Sequence, residues 1–255
     1  EIDKKSDLLA FELQKLALPA QSKLIIYLPL GIDFIVSILG ILKAGHVCVP
    51  HIASWNMQSM LEIFNNSGAK LILTKQEILS NQNNPSLDDK VVYVELIEES
   101  QVRILPNKRP ATEIAFVIYP EVHAKYVTGI IWNHQNVIGS VHAKHQIFQE
   151  VERHAFSEHA GIGQVILTLM QALSNGSCLV FYEAKIANIV AFGENTDRNQ
   201  VSMLALQAPF YRRLLLSSTH YSLSKLTKVI ILEGGLDRSL LELHEKMCPG
   251  ANLYS

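Results

Sequence analysis

Short apolar runs with no polar face alternate along this chain with amphipathic helical stripes, and this alternation limits its fold more than any other feature. Leu24–Leu28 is a continuous apolar run that ends at Pro29, and Leu71–Thr74, Ile114–Tyr119, Cys178–Phe181, Val201–Leu206 and Val229–Leu232 follow the same pattern. A strand that is half exposed alternates apolar and polar residues, so runs apolar on both faces belong to strands covered on both sides, as in a parallel sheet. Two shorter strands are expected at Val47–Val49, stopping at Pro50, and at Val91–Val94. Between the strands, Ile35, Ile38, Leu39 and Leu42 form one helical stripe closed by Gly45, and Met57, Met60, Leu61 and Phe64 form another ending at Gly68. Glycine in these places is a helix C-cap signal. Further helices are expected over residues 2–17, where Leu9, Leu13 and Leu16 share a face, and over His134–Glu150, Phe210–Leu216 and Leu236–Met247. Residues 80–90 read as a polar loop and Arg103–Thr112 as a connector with two prolines. The βαβα rhythm predicts an α/β fold with mostly parallel sheets flanked by helices.

Composition narrows the function classes. The 255 residues are 48% hydrophobic and 18% charged with a formal net charge of -2, so the chain carries no basic field that would draw it to nucleic acid or to an anionic membrane. The longest apolar stretches, such as Phe34–Ala44, are too short to cross a bilayer, and the opening EIDKKSDLLAF has charges where a signal peptide has its apolar region. Cys48, Cys178 and Cys248 are odd in number and widely spaced, the pattern of a reduced, cytoplasmic protein. His142 and His145 are three apart on an expected helix, with His154 and His159 following, but no carboxylate or cysteine stands with them at motif spacing, and no metal site is expected. Asp88–Asp89 and Glu98–Glu99 read as solvated charges, and Tyr211-Arg212-Arg213 as the exposed edge of an apolar helix.

Several segments, taken in order, carry a family resemblance. The opening EIDKKSDLLAFEL, ILKAGHVCVP at 41–50, NNSGAKLILT at 65–74, SNGSCLVF at 174–181, VSMLALQAPFYRRLL at 201–215 and ANLYS at 251–255 resemble successive segments of the adenylate-forming (AMP-binding, acyl-activating) superfamily. They are most like the adenylation domains of nonribosomal peptide synthetases. The resemblance implies the large N-terminal lobe of that fold, with residues 20–150 as one α/β subdomain and 1–19 plus 151–255 as a second. It also implies that the family's small C-terminal lobe, which carries a catalytic lysine, lies outside these 255 residues.

The same resemblance places a phosphate-binding loop between Tyr119 and Gly129. In the family this loop is rich in glycine, serine and threonine, and its hydroxyls and backbone N–H groups wrap the phosphates of ATP while a lysine adds charge. Here the stretch from Pro120 to Thr128 has no glycine or serine. Pro120 removes an N–H donor, Glu121 brings a carboxylate toward the phosphates, Val122 and Lys125 replace glycines, and Thr128 stands in the lysine position. A β-branched residue at a left-handed position costs about 1–2 kcal/mol. A carboxylate ~4 Å from a phosphate is repelled by about 1 kcal/mol per charge pair even in water. These departures predict that the loop no longer binds ATP in the family's manner and that Asn133 simply caps the next helix. If the loop still functions, Lys125, Thr128, Gly129 and His134 are its nucleotide-contacting residues.

Amino-acid-activating members use a phenylalanine–aspartate pair whose carboxylate holds the substrate ammonium. Phe156 is retained here and Ser157 takes the aspartate position, so these two are the implied substrate-binding residues, and a hydroxy, keto or aryl acid fits better than an amino acid. The segment ILEGGLDRS at 231–239 is similar to a family G-G-E-x-L turn with its glutamate displaced. The expected function is a pseudo-adenylation domain without catalytic residues or cofactor, serving a structural or protein-interaction role beside the other domains, and a carrier protein, of a larger synthetase. One alternative is part of an active acid–AMP ligase using ATP and Mg for thioester formation. A second is a module that binds an acyl ligand without ATP.

Overall fold

The computed structural model describes residues 1–53, 56–80, 85–97, 109–120, 128–147, 153–156, 161–182, 188–218, 220–232 and 234–255. They divide into two units, Glu1–Gly139 and Ser140–Ser255.

The first unit is built on a six-stranded sheet in the order β4-β3-β1-β2-β5-β6. Its strands are β1 (Lys23–Leu28), β2 (Val47–Ile52), β3 (Leu71–Thr74), β4 (Val91–Tyr93), β5 (Ile114–Ile118) and β6 (Ile130–Asn133). All pair in parallel except β6, which folds back antiparallel on β5. In β1, Leu24, Ile25, Ile26 and Leu28 are fully buried, as its doubly apolar sequence requires. The helices are α1 (Ile2–Lys15), α2 (Ile32–Ala44), α3 (Met57–Ser67) and the single turn α4 (Gln76–Leu79), and α5 (His134–Ile147) follows β6. Gly45 and Gly68 close α2 and α3 with φ of 86° and 66°, the left-handed caps expected of them.

Two expectations are corrected here. The strand expected to stop at Pro50 runs on to Ile52, with Pro50 opposite Ile26. β5 pairs with β2 only at Cys48, so beyond that point β2 has a ladder partner on one side and tolerates a residue without an N–H. The resemblance implies that the opening helix joins the second subdomain, but it packs on α2 in the first unit. Gly40 lets Leu9 of α1 come so close that an added Cβ would lie 2.7 Å from its side chain. Lys43 also reaches across to Asp7 at 2.7 Å and to the Ser6 hydroxyl at 2.8 Å. The division between units accordingly falls inside α5, after Gly139, and not near residue 150.

The second unit carries a parallel sheet in the order β11-β10-β9-β7-β8. Its strands are β7 (Arg153–Phe156), β8 (Cys178–Val180), β9 (Met203–Leu206), β10 (Lys228–Ile231) and β11 (Asn252–Tyr254). Its helices are α6 (Ile162–Asn175), α7 (Ile189–Arg198), α8 (Ala208–Leu216) and α9 (Arg238–Met247). One face of the sheet contributes Ala155, Leu204, Leu206, Val229 and Ile231 to a core closed by Phe192, Tyr211, Leu214 and Leu240. A buried clamp ties α8 to α9: Tyr211 Oη lies 2.7 Å from His244 Nδ1, and His244 Nε2 donates to the Ala251 carbonyl at 2.8 Å.

Candidate functional site at two strand ends

The β5–β6 hairpin sets the flanks of the loop singled out in the sequence. Tyr119, just past β5, is buried, and its hydroxyl donates to Asn66 Oδ1 at 2.8 Å, while burial pushes the phenol pKa up. Gly129 sits against that ring: an added Cβ would meet Val117 Cγ1 at 2.6 Å and Tyr119 Cζ at 2.8 Å. Close packing therefore explains this glycine without a phosphate. Thr128 is exposed. Lys125 lies outside the described residues.

At the start of α5, the amides that could greet an anion are already engaged. The His134 N–H donates to the Glu113 carbonyl at 3.1 Å and the Gln135 N–H to the Ala111 carbonyl at 2.8 Å. The Asn136 N–H donates to Asn133 Oδ1 at 2.7 Å, and Asn136 Oδ1 in turn accepts the Asn133 N–H at 3.1 Å. Asn133 is thus the expected cap, in a reciprocal box that satisfies donors a helix start otherwise leaves open. The His134 ring is held below its usual pKa mainly by burial; the Glu113 carboxylate works against this and the Arg109 cation adds to it. Glu113 is fixed by Arg109 Nη1 at 3.0 Å, and Gln21 Oε1 accepts the Ile114 N–H at 3.0 Å. No motif announced Arg109, Glu113 or Gln21: the first two pair locally in an irregular stretch, and Gln21 joins them from a distant part of the chain.

The second strand end is the carboxyl edge of the second sheet. From β7 the chain goes to β8 on one side and then crosses to β9 on the other, so the strand order reverses between β7 and β9. Ligands of open parallel sheets bind at such switch points, outside the carboxyl ends of the strands. Phe156 is the last residue of β7 and stands level with Ala205 of β9, which leads into Gln207 at the start of α8. Phe156, the substrate residue that the resemblance implies, thus ends a strand beside this switch point. Ser157 lies outside the described residues. Next along the edge, Gly234 and Gly235 have φ of 92° and 66°, a turn after β10 that suits glycine. Arg212 grips Asp237 through both carboxylate oxygens at 2.8 and 2.7 Å. Asp237 also accepts the Leu240 N–H at 2.7 Å as the cap of α9. That amide, then Ser239 and Arg212, hold its pKa down at about 2. Arg212 is thus occupied as a helix clamp.

The histidines do not converge. His142 and His145 are exposed on α5 and His154 is buried on β7, and among the described residues no group of three or more His, Cys, Asp or Glu is placed to hold a metal. His159 lies outside the described residues. Also among the described residues, no helix is long and apolar enough to cross a membrane.

Comparison with known proteins agrees with this architecture. A family model described as AMP-binding enzyme matches residues 1–120. One of the plipastatin synthases of Bacillus subtilis (strain 168) is 23% identical over 266 residues, covering 99% of this chain and 7% of that protein. Bacitracin synthase 2 of Bacillus licheniformis is 22% identical over 264 residues, covering 100% of this chain and 10% of that one. The chain thus spans about a tenth or less of the length of these relatives. Among solved structures, the nonribosomal peptide synthetase FmoA3 superposes with a TM-score of 0.88 at 15% identity, over 100% of this chain and 28% of that one. Unliganded O-succinylbenzoate coenzyme A synthetase (MenE) from Bacillus subtilis superposes with a TM-score of 0.79 at 14% identity, over 100% and 53%. The family match in its first unit, the synthetase likeness along its length and the shared α/β fold make this chain similar to the adenylate-forming, AMP-binding enzymes, and among them to the nonribosomal peptide synthetases.

Proposed function

We propose that this segment is a pseudo-adenylation domain: it keeps the fold for a structural or protein-interaction role within a larger synthetase and does not use ATP. The observation that carries this reading is the engagement of the His134, Gln135 and Asn136 amides by Glu113, Ala111 and Asn133 at the loop's exit. Pro120, which has no N–H to offer, supports it at the loop's entry. Gly129, the glycine at the loop's end, is accounted for by its packing on Tyr119. In this reading the partners are neighbouring synthetase domains, including a carrier protein, and ATP and Mg are not cofactors. Isothermal titration of the chain with ATP and Mg is expected to show no saturable heat at micromolar concentrations. Micromolar binding would mean that Lys125, Thr128 and His134 still serve a nucleotide, and would revive the active acid–AMP ligase reading.

The switch point between β7 and β9 favours a second reading, an acyl-ligand module that works without nucleotide. A carboxylic acid bound there would raise the melting temperature with ATP absent, by mass action on the folded state. A panel of hydroxy, keto and aryl acids that leaves the melting temperature unchanged would rule this reading out.

A further inference from the structure

The first sheet has its own switch point, and a cavity lies there. From β1 the chain passes through α2 to β2 on one side, then returns to β3 on the other, so the strand order reverses between β1 and β3. Their carboxyl ends are level, with Ile26 opposite Leu73, and the Thr74 hydroxyl donates to the Tyr27 carbonyl at 2.8 Å. Just beyond, Lys75 Nζ reaches Asp33 Oδ2 in the first turn of α2 at 2.8 Å. A cavity of about 300 Å³ opens between this pair, α1 and the end of β4. It has an apolar floor of Leu8, Val36, Val94 and Ile97 and a charged rim of Lys5, Asp33, Lys75 and Glu95.

The rim is electrically polarised. Among the described lining residues Asp33 and Glu95 share Lys75, whose pKa is raised first by its hydrogen bond to Asp33 and then by the charges of Asp33, Glu77 and Glu95. Glu95 Oε1 also accepts the Gln76 N–H at 2.6 Å and has no ion pair among the described residues. Lys5 comes from α1, and its partner Glu1, at 3.2 Å, does not line the cavity. One end of the rim therefore has negative charge in excess, while at the other Lys5 faces the cavity with only the exposed Glu1 carboxylate, outside it, as its ion-pair partner. A simple anion would have to compete with Asp33 for Lys75, and a simple cation would leave Lys5 with no carboxylate inside the cavity. We propose that this cavity is a binding site for a small zwitterion with an apolar body, its ammonium toward Asp33 and Glu95, its carboxylate toward Lys5 and its apolar part on the floor. The volume suits a molecule the size of a hydrophobic amino acid, and the site is separate from both strand ends described above.

The test is a ¹H–¹⁵N NMR titration of the 255-residue chain with L-leucine, with 4-methylpentanoate and isoamylamine as single-charge probes of the same apolar shape. Leucine is expected to shift the Asp33, Lys75 and Glu95 amides saturably, and each single-charge probe to bind about tenfold more weakly, the usual worth of one charge contact. Glu95→Gln keeps an acceptor for the Gln76 N–H and should weaken leucine about tenfold while leaving 4-methylpentanoate unchanged. Val36→Phe should fill the floor and abolish all three, with an otherwise native spectrum. No saturable shift up to about 20 mM leucine, or shifts confined to the second unit, would overturn the site. Equal affinity for 4-methylpentanoate and leucine would overturn the zwitterion. No nucleotide is present, so the outcome is independent of whether the chain binds ATP.

Discussion

His154 is the residue whose surroundings fit its chemistry least. It stands fully buried on β7, and neither ring nitrogen has a hydrogen-bond partner among the described residues. Burial first, then the charges of Lys144 and Lys228, bring its pKa down to about 4, so the ring is neutral at pH 7. An unsatisfied buried polar group costs about 1–3 kcal/mol, and an apolar side chain of similar volume escapes that cost. His154→Met is therefore expected to raise unfolding stability by about 1 kcal/mol in a urea melt. A loss of stability would mean that the ring has a partner, such as a buried water, that the methionine cannot replace. Nothing in the sequence marks this histidine, since burial at a central strand position depends on which strands flank it. Asn133 was legible because a cap is local, needing only the helix start three residues away.

Among the elements, the contact of α1 with α2 depends on one missing side chain. A Cβ at Gly40 would lie 2.7 Å from Leu9 Cγ and Cδ2. Gly40→Val should force the helices apart and cost about 1–3 kcal/mol in denaturant unfolding, the range for overpacked cores. Leu9→Ala in the same chain should recover part of that loss, which a purely local backbone effect of valine would not allow. Doubly apolar strands such as β1 and β3 and the glycine-closed helices α2 and α3 were readable from pattern alone, because propensity, burial and capping agree there. The short strands β6 and β7 were not, since Ile130–Asn133 has exposed isoleucines and Arg153–Phe156 opens on a charge. What makes them strands is the neighbour they pair with, β5 in one case and β8 and β9 in the other.

For the whole molecule, two buried histidines link stability to pH. His51 on β2 is also brought down to about 4 by burial, with its Nε2 3.1 Å from the Ser59 hydroxyl. Both rings have folded pKa values below the unfolded value of about 6.5. Between those limits the unfolded chain binds more protons, so stability is fully present above pH ~6.5 and falls as pH drops toward 4. From pH 7 to pH 5 the loss should be about 2 kcal/mol per histidine, seen as a lower urea midpoint, and a double variant His51→Gln/His154→Met should flatten the curve. A wild-type midpoint unchanged over this range would show that the rings are not kept neutral. At this scale the sequence announced an α/β fold with mostly parallel sheets but not the strand orders, which depend on long-range pairing. The place of α1 depended likewise on Lys43 and Gly40 meeting it in space.

The centrality of β1 has a consequence for synthesis. Its two neighbours, β2 and β3, follow it within residues 23–74, so the middle of the first sheet can assemble as soon as Thr74 has left the ribosome. The second sheet differs, because β7 must wait for β9 at Met203–Leu206 before both its edges are covered. A nascent chain paused before that point would carry a completed first sheet centre and an open strand edge, the kind of surface chaperones hold.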